Sequence, residues 1–389
     1  MRILCLSAIA ALLVAPAALA KPTSSTGKAT TATAAATTAN AKAAAGLQAM
    51  RELNLIVLDT LTTNGQEVEG RTFVNKLVSQ NFTNFGIGSS TQGSASSRYD
   101  VLSVVGNATG SFRLKAGYAN GQNGTLGNTA RIGGNVGYVD FNATNGAVGV
   151  LVAGGNLTTS FNVNNNSVTY GGSAASGING ARKDATLAAG GANDVGAGLV
   201  IRMSELTTNL NALSTQLANL PSLGTITSTN NALNYSGATD GFAVFTMTEA
   251  AFTNQNANFD NLFTRMPSGT TTIINVLGTN LVQGGNINNK ALNQSVIWNF
   301  NQAQNLSVKG FHGSILAPKA TLTNSSAIEG SIVALNMRLN GEVHLGTYNG
   351  NGNFVPTNAV PEPASWAMLL VGFGALGAAI RKRRALGIA

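Results

Sequence analysis

Gly313-Ser314-Ile315-Leu316-Ala317 returns 17 residues later as Gly330-Ser331-Ile332-Val333-Ala334. A second echo joins distant parts of the chain, because Val68-Glu69-Gly70-Arg71 resembles Ile328-Glu329-Gly330-Ser331. Each phrase is a short apolar run bounded by turn residues, too brief for a helix and suited to a strand. Repeats of this length predict rungs of a parallel β-helix, in which each coil buries its apolar side chains against the next. A β-sandwich with Gly/Asn turns would produce similar short strands and is the alternative.

Earlier in the chain, Leu55-Ile56-Val57-Leu58 reads as a buried strand followed by a turn at Asn64-Gly65. Further β-type runs are expected at residues 72–78, 101–105, 147–152, 163–170, 271–277, 296–300, 313–317 and 331–335. Gly106-Asn107, Gly134-Asn135 and Gly155-Asn156 close several of them. Gly and Asn tolerate positive φ, so each pair is expected to turn a corner. One segment breaks the β texture: Leu206, Leu210, Leu213, Leu217 and Leu220 form a helical stripe, with Ser204 as the expected N-cap and Pro221 as the stop. Its polar face of Thr, Asn, Ser and Gln predicts a helix lying along the β core with one side wet.

Charged residues make up only 10% of the 389, while Gly, Asn, Thr, Ser and Ala abound, a composition unlike that of a cytosolic enzyme. The formal net charge is +8, but Arg2, Arg381, Lys382, Arg383 and Arg384 supply five of the 23 basic residues and Glu362 one of the 15 acidic ones. The body between the ends therefore carries 18 basic and 14 acidic residues. It lacks the Lys/Arg stripe broken by aromatics that nucleic-acid binding requires, and no nucleic-acid partner is expected.

Both ends read as sorting segments. Arg2, the apolar run from Ile3 to Val14 and the small-x-small site Ala18-Leu19-Ala20 predict a signal peptide cut between Ala20 and Lys21. Cys5, the only cysteine, lies in that leader, so the mature domain has no disulfide and no thiol chemistry. Residues 21–45 are almost entirely Ala, Thr, Ser, Lys and Gly and read as a flexible linker or a frayed helix. Near the other end, residues 366–380 form an uncharged apolar stretch followed by Arg381-Lys382-Arg383-Arg384. It is short for a span, which takes about 20 residues, yet the basic cluster fits retention on the cytoplasmic side.

Val360-Pro361-Glu362-Pro363, this apolar stretch and the Arg cluster together resemble the PEP-CTERM sorting signal of Gram-negative bacteria. The resemblance implies recognition by an exosortase-type membrane enzyme, anchoring through the C-terminal helix, and delivery to the cell surface or extracellular matrix. In the body, residues 67–74, 150–157, Ile274-Asn275-Val276, Trp298-Asn299-Phe300, Gly313 to Pro318 and Gly341-Glu342-Val343-His344 resemble signatures of the choice-of-anchor A family, in order. That family is regarded as adhesive with a β-helix-like fold, and the resemblance carries over no catalytic residue.

The expected fold class is therefore mainly β: a β-helix or solenoid-like domain with one amphipathic α-helix packed alongside, an N-terminal signal helix and a C-terminal transmembrane helix. The expected division is 1–20 signal, 21–45 linker, 46–350 β domain, 351–359 linker and 360–389 sorting segment.

Candidate chemistry in the body is sparse. His312 and His344 are the only histidines, too few for a His-rich metal site. Glu342 and His344 should share a strand face, the one acid and imidazole pair at motif spacing. Glu67, Glu69 and Arg71 should likewise share a face, as an ion pair or a sugar site. No cofactor, metal or catalytic residue is assigned. The leading expectation is a non-catalytic adhesin or biofilm component, with exopolysaccharide, other cells or a second copy as partners. The alternative is a β-helical polysaccharide-active enzyme, a lyase or hydrolase, which needs carboxylates converging in a groove. Ice or mineral binding would need regular outward threonine ranks, and the sequence offers none over several rungs.

Overall fold

The echo found in the sequence is one rung stacked on the next. Ile315, Leu316 and Ala317 pair in parallel register with Ile332, Val333 and Ala334, which pair in turn with Leu55, Ile56 and Val57. The second echo joins equivalent positions two rungs apart, since Ile328 pairs with Val343 and Val343 with Val68. The computed structural model describes residues 26–88, 97–115, 127–142, 147–229, 233–238 and 240–354, with side chains from residue 37 on. Among the described residues 21 strands join one parallel sheet, coiled so that each turn of chain contributes to up to three faces.

On the first face the strands run, from one end to the other, Thr225–Ile226, Phe242–Met247, Thr271–Val276, Val296–Asn299 and the starts of Ser314–Asn324, Ile332–Leu339, Leu55–Thr63 and Thr72–Phe85. They continue through Leu102–Val104, Thr129–Ile132, Val150–Ala153, Ser167–Tyr170 and Arg182–Lys183. The β-helix therefore begins in its own middle. Residues 55–183 build outward to one end; residues 225–339 start at the other end and build back until Ile332–Leu339 closes on Leu55–Thr63.

The return is made by a helix. We label the helices α1 (Thr26–Glu52), α2 (Val195–Ala218), α3 (Glu249–Phe252) and α4 (Phe259–Leu262). α2 contacts the first face from Thr271–Val276 to Thr129–Ile132. Seven inter-strand steps of about 4.8 Å span about 34 Å, and 24 residues of helix at 1.5 Å each span about 36 Å. The helix is thus as long as the run of rungs it must cross. Its buried stripe is Val195, Leu199, Met203, Leu206, Leu210, Leu213 and Leu217.

The structure corrects the expected start of this helix. Asp194, not Ser204, is the N-cap, its carboxylate accepting from Ala197 N at 3.0 Å, and Ser204 lies inside the helix. Val195, Leu199 and Met203 extend the leucine stripe at helical spacing, but Gly196 and Gly198 disguise the first turns. The expectation of a single packed helix is also revised. The end of α1 buries Ala43, Leu47, Ala49 and Met50 in the same cluster as α2. Gly46 lets the two helices meet, since a Cβ there would lie 2.5 Å from Asn209 O. The chain divides into two compact units, Met1–Thr38 and Ala39–Ala389, with α1 crossing the division. Of the segment read as linker or frayed helix, the part from Thr26 is helical, and the helix continues past Ala45 to Glu52.

Two layers of core follow from this layout. Inward side chains such as Leu55, Val57, Val74, Leu102 and Val104 fill the β-helix, while Ile56, Phe73, Ile273, Ile297, Leu316 and Val333 point out of the first face onto the helices. Strands buried on both sides are uniformly apolar, which is why the signature triplets have no alternation.

The Gly-Asn corners are real, but their φ values are not positive. Glycine stands there for closeness: a Cβ on Gly155 would lie 2.5 Å from Gly134 C, and one on Gly134 would lie 2.3 Å from Asn107 Oδ1. The asparagines form a ladder, each Oδ1 accepting from the next rung's backbone: Asn107 from Asn135 N, Asn135 from Asn156 N and Asn156 from Ser173 N, at 2.8 to 2.9 Å. The two ends are blunted against further strand pairing. One ends on the exposed charged pair Arg182-Lys183; at the other, α3 packs on Asn280–Val282, near an aromatic cluster of Phe252, Phe259, Phe263, Trp298 and Phe300.

The expected signal helix and the membrane-spanning reading of residues 366–380 lie outside the described residues. Among the described residues no helix is long and apolar enough to cross a membrane.

Candidate binding face

With the first face covered by helices, two faces meet solvent. The second is built from one three-residue phrase per rung, polar-apolar-polar except where Val282 and Val78 take the last place. Leu281, Leu306, Leu322, Met337, Leu61 and Leu77 stack in register and point inward. Strand alternation then sends both neighbours of each outward. One outward column reads Asn280, Asn305, Thr321, Asn336, Thr60, Lys76; the other reads Val282, Ser307, Thr323, Arg338, Thr62, Val78, Thr109. Residues within the first column tie to one another, the Asn305 side-chain Nδ2 donating to Asn280 Oδ1 at 2.7 Å and the Thr60 backbone N to Asn336 Oδ1 at 3.2 Å. The result is an open, regular face about 4.8 Å per rung, rich in Asn, Thr and Ser.

Regular threonine ranks are not what it displays. Arg338 and Val78 interrupt the column that contains Thr62, Thr323 and Thr109, and Lys76 ends the other. The residues of this face were not singled out from the sequence, although the signal was present in Thr60-Leu61-Thr62, Thr321-Leu322-Thr323 and Asn305-Leu306-Ser307.

The third face carries the charged residues that the sequence did single out. His312, Glu329 and His344 occupy successive rungs, with Glu69 beside His344 on the next. Their interactions are structural. Asn293 bridges the column, its Oδ1 2.8 Å from His312 Nδ1 and its Nδ2 donating to Glu329 Oε2 at 2.7 Å. Glu329 Oε1 lies 3.4 Å from His344 Nδ1, and Glu69 Oε2 accepts from Leu345 N at 2.6 Å. Glu342 and His344 do meet, at 2.7 Å. Their partner across the rung is another carboxylate, Glu329, so the imidazole is clamped between two acids with a carboxylate oxygen at each ring nitrogen. Glu67, Glu69 and Arg71 do not form one site. Glu67 accepts from Asn84 at 2.8 Å, whereas Arg71 lies beyond the corner at Gly70, buried, donating to Glu52 O at 3.3 Å. Among the described residues no group of three or more His, Cys, Asp or Glu is arranged to hold a metal.

This column makes stability depend on pH. The hydrogen bond to Glu329, helped by Glu342 against the effect of burial, raises His344 from 6.5 to about 9. Burial alone would raise Glu329, but hydrogen bonds from His344 and Asn293 outweigh it and hold the carboxyl at about 2 instead of 4.5. The His344 contribution is full below 6.5 and is lost as pH rises through about 9; the Glu329 contribution is full above 4.5 and is lost as pH falls through about 2. His312, pushed down chiefly by burial, opposes folding once pH drops below 6.5. Urea midpoints measured against pH should therefore be highest near the top of the 4.5 to 6.5 window, and His344→Gln should flatten the decline between 6.5 and 9. An unchanged alkaline limb in that variant would show that the column does not couple to stability.

The residues assigned to sorting, namely Ala18, Ala20 and Lys21 at the leader and Val360, Pro361, Glu362, Pro363, Arg381, Lys382, Arg383 and Arg384 at the tail, lie outside the described residues. Comparison with known proteins bears on the tail and the body separately. Residues 359–384 match the PEP-CTERM protein-sorting motif, which implies processing by an exosortase-type enzyme. Residues 117–345 match the family described as "Putative Ice-binding-like adhesive domain". No curated protein matches the sequence. Among solved structures, the ice binding protein from an Antarctic bacterium, Flavobacteriaceae, is similar over 79% of this chain and 99% of its own, at 12% identity and a TM-score of 0.16.

Proposed function

The chain belongs to the ice-binding-like adhesive domain family and carries a PEP-CTERM sorting motif, and from that premise we propose that it is an exported, non-catalytic surface adhesin working through its second face. The observation that carries the reading is the pair of outward columns from Asn280 to Thr109, a long stretch of β-helix surface that is regular, open and mostly uncharged. Each hydroxyl or amide contributes a weak hydrogen bond to a glycan or neighbouring cell, and many copies on a crowded surface add up by multivalency. The sorting tail brings the domain there: the exosortase-type enzyme engages Val360 to Pro363, while residues 366–380 and the Arg cluster hold the chain in the membrane of a Gram-negative cell. The motif resemblance to choice-of-anchor A proteins fits a body that is shared among anchors, and a biofilm matrix is the setting it suits.

The described carboxylates of the third face are engaged in rung-to-rung bonds, which favours adhesion over polysaccharide cleavage. The broken threonine ranks favour a glycan over ice. The experiment is a cell and exopolysaccharide adhesion assay with the full chain. Thr62→Tyr with Thr323→Tyr puts bulk on the flat face without touching the core, and should lower adhesion about tenfold while leaving the melting temperature within about 2 °C, as surface changes do. Adhesion that survives both substitutions would remove this face from the mechanism.

A further inference from the structure

At the seam where α2 begins, two cavities of about 240 and 210 Å³ meet at Arg98. The first is also lined by Arg131 and Arg202. Its acids are already occupied. Asp100 holds Arg131 at 2.9 Å, and the Asp194 carboxylate accepts from Gly190 N at 2.8 Å and Ala197 N at 3.0 Å as the cap of α2. Among the described residues no carboxylate is within salt-bridge reach of Arg98 or Arg202, so two cations flank one small cleft. The second cavity adds Tyr99, Glu205 and Glu52, the last with its carboxylate already accepting from Gln48 Nε2 and Ser97 Oγ. The Tyr99 ring is fixed edge-on against Phe73 at 5.8 Å, and its hydroxyl pKa is raised by burial and then by Glu52.

These are complementary chemistries for one class of ligand. Unpaired guanidinium groups bind carboxylate or sulfate oxygens as charge-assisted, often bidentate partners. A held aromatic ring offers an apolar platform, and a neighbouring carboxylate accepts from hydroxyls. Each cavity is below the roughly 300–1,000 Å³ of a drug-sized site, so the seam suits one or two sugar units and not a long chain. We infer that the Arg98 and Arg202 cleft is a binding site for an acidic saccharide unit, its anionic group between the two arginines and its ring against Tyr99. The inference rests on the adhesin reading and adds to it a second, charge-selective contact on the helix-covered side.

The test is titration calorimetry of the full chain with oligogalacturonate, with a sulfated dextran oligomer and with neutral dextran. Binding of either acidic oligomer, and not of dextran, is expected, and the tighter of the two identifies the anionic group. The double variant Arg98→Gln, Arg202→Gln should bind about tenfold more weakly, from two lost charge-assisted hydrogen bonds at a half-exposed site. Arg182→Gln, three rungs beyond Arg131 and paired with Asp184 at 3.6 Å, lines neither cavity and should change nothing, which separates a site from bulk charge. Equal binding by the double variant, equal binding of dextran, or no binding of either acidic oligomer to the parent chain overturns the site. A parent that adheres to cells yet binds neither oligomer refutes this site and leaves the adhesin reading standing. A parent that binds through Arg98 and Arg202 but adheres to no cell refutes the second face instead.

Discussion

Asn54→Ala is expected to lower the unfolding free energy of the full chain by about 4 kcal/mol, the cost of leaving several buried backbone groups without partners at roughly 1–3 kcal/mol each. Asn54 is fully buried at the start of the first β-helix strand. Its Nδ2 donates to Gly330 O at 2.7 Å and to His344 O at 2.9 Å, and its Oδ1 accepts from Gly70 N at 3.0 Å. Those three backbone groups belong to the last coils and the first, so one side chain fastens the end of the chain to its beginning. The packing around it is close, since a Cβ on Gly70 would lie 2.6 Å from Asn54 Cβ. Urea unfolding measures the loss, and Asn305→Ala on the open face, expected within about 0.5 kcal/mol, is the control. A change below about 1 kcal/mol for Asn54→Ala would mean that the junction between the two halves does not depend on this residue.

The second large effect is expected at Asn299, where about 3 kcal/mol should be lost on substitution by alanine. Its Nδ2 donates to Ser214 O at 2.9 Å and to Asn275 Oδ1 at 2.7 Å, and its Oδ1 accepts from Ser214 Oγ at 2.6 Å. Asn275 in turn donates to Leu217 O at 2.8 Å. Two asparagines that would otherwise be anomalies on an apolar face thus grip the last turns of α2, where the helix has carbonyls to satisfy. The grip matters because α2 carries the chain from one end of the β-helix to the other. Hydrogen exchange should show the C-terminal half of α2 opening in Asn299→Ala at a lower free energy than in the parent chain. Asn301→Ala, which removes a single 3.1 Å bond to Ser214 Oγ, should cost about 1 kcal/mol. Unchanged protection of α2 would show that apolar packing alone holds it.

The function-bearing surface was only half legible. His312, His344 and Glu342 drew attention because their side chains are chemically distinctive, yet pairing with Asn293, with Glu329 and with each other commits them to structure. The triplets centred on Leu61, Leu306 and Leu322 look unremarkable one at a time, since a single Thr-Leu-Thr states only that two side chains share a side. They become a face when parallel register aligns them. The arginine cleft was invisible for a related reason: Arg98, Arg131 and Arg202 are far apart in the chain and meet only because α2 crosses the rung that holds Arg131.

By itself the sequence indicated the local parts of this protein: apolar triplets that repeat after 17 residues, Gly-Asn corners, a leucine-striped helix, and an end marked for sorting. These are local properties, set by side-chain period and steric room, so a short window contains all the information they need. Tertiary structure alone decided the order of stacking. Parallel strands are joined by backbone hydrogen bonds that any residue can make, and nothing in Leu55-Ile56-Val57 names Ile332-Val333-Ala334 as its neighbour. The length of α2, which returns the chain to the far end, and the buried Asn54, which fastens the closing coil to the opening one, make that choice.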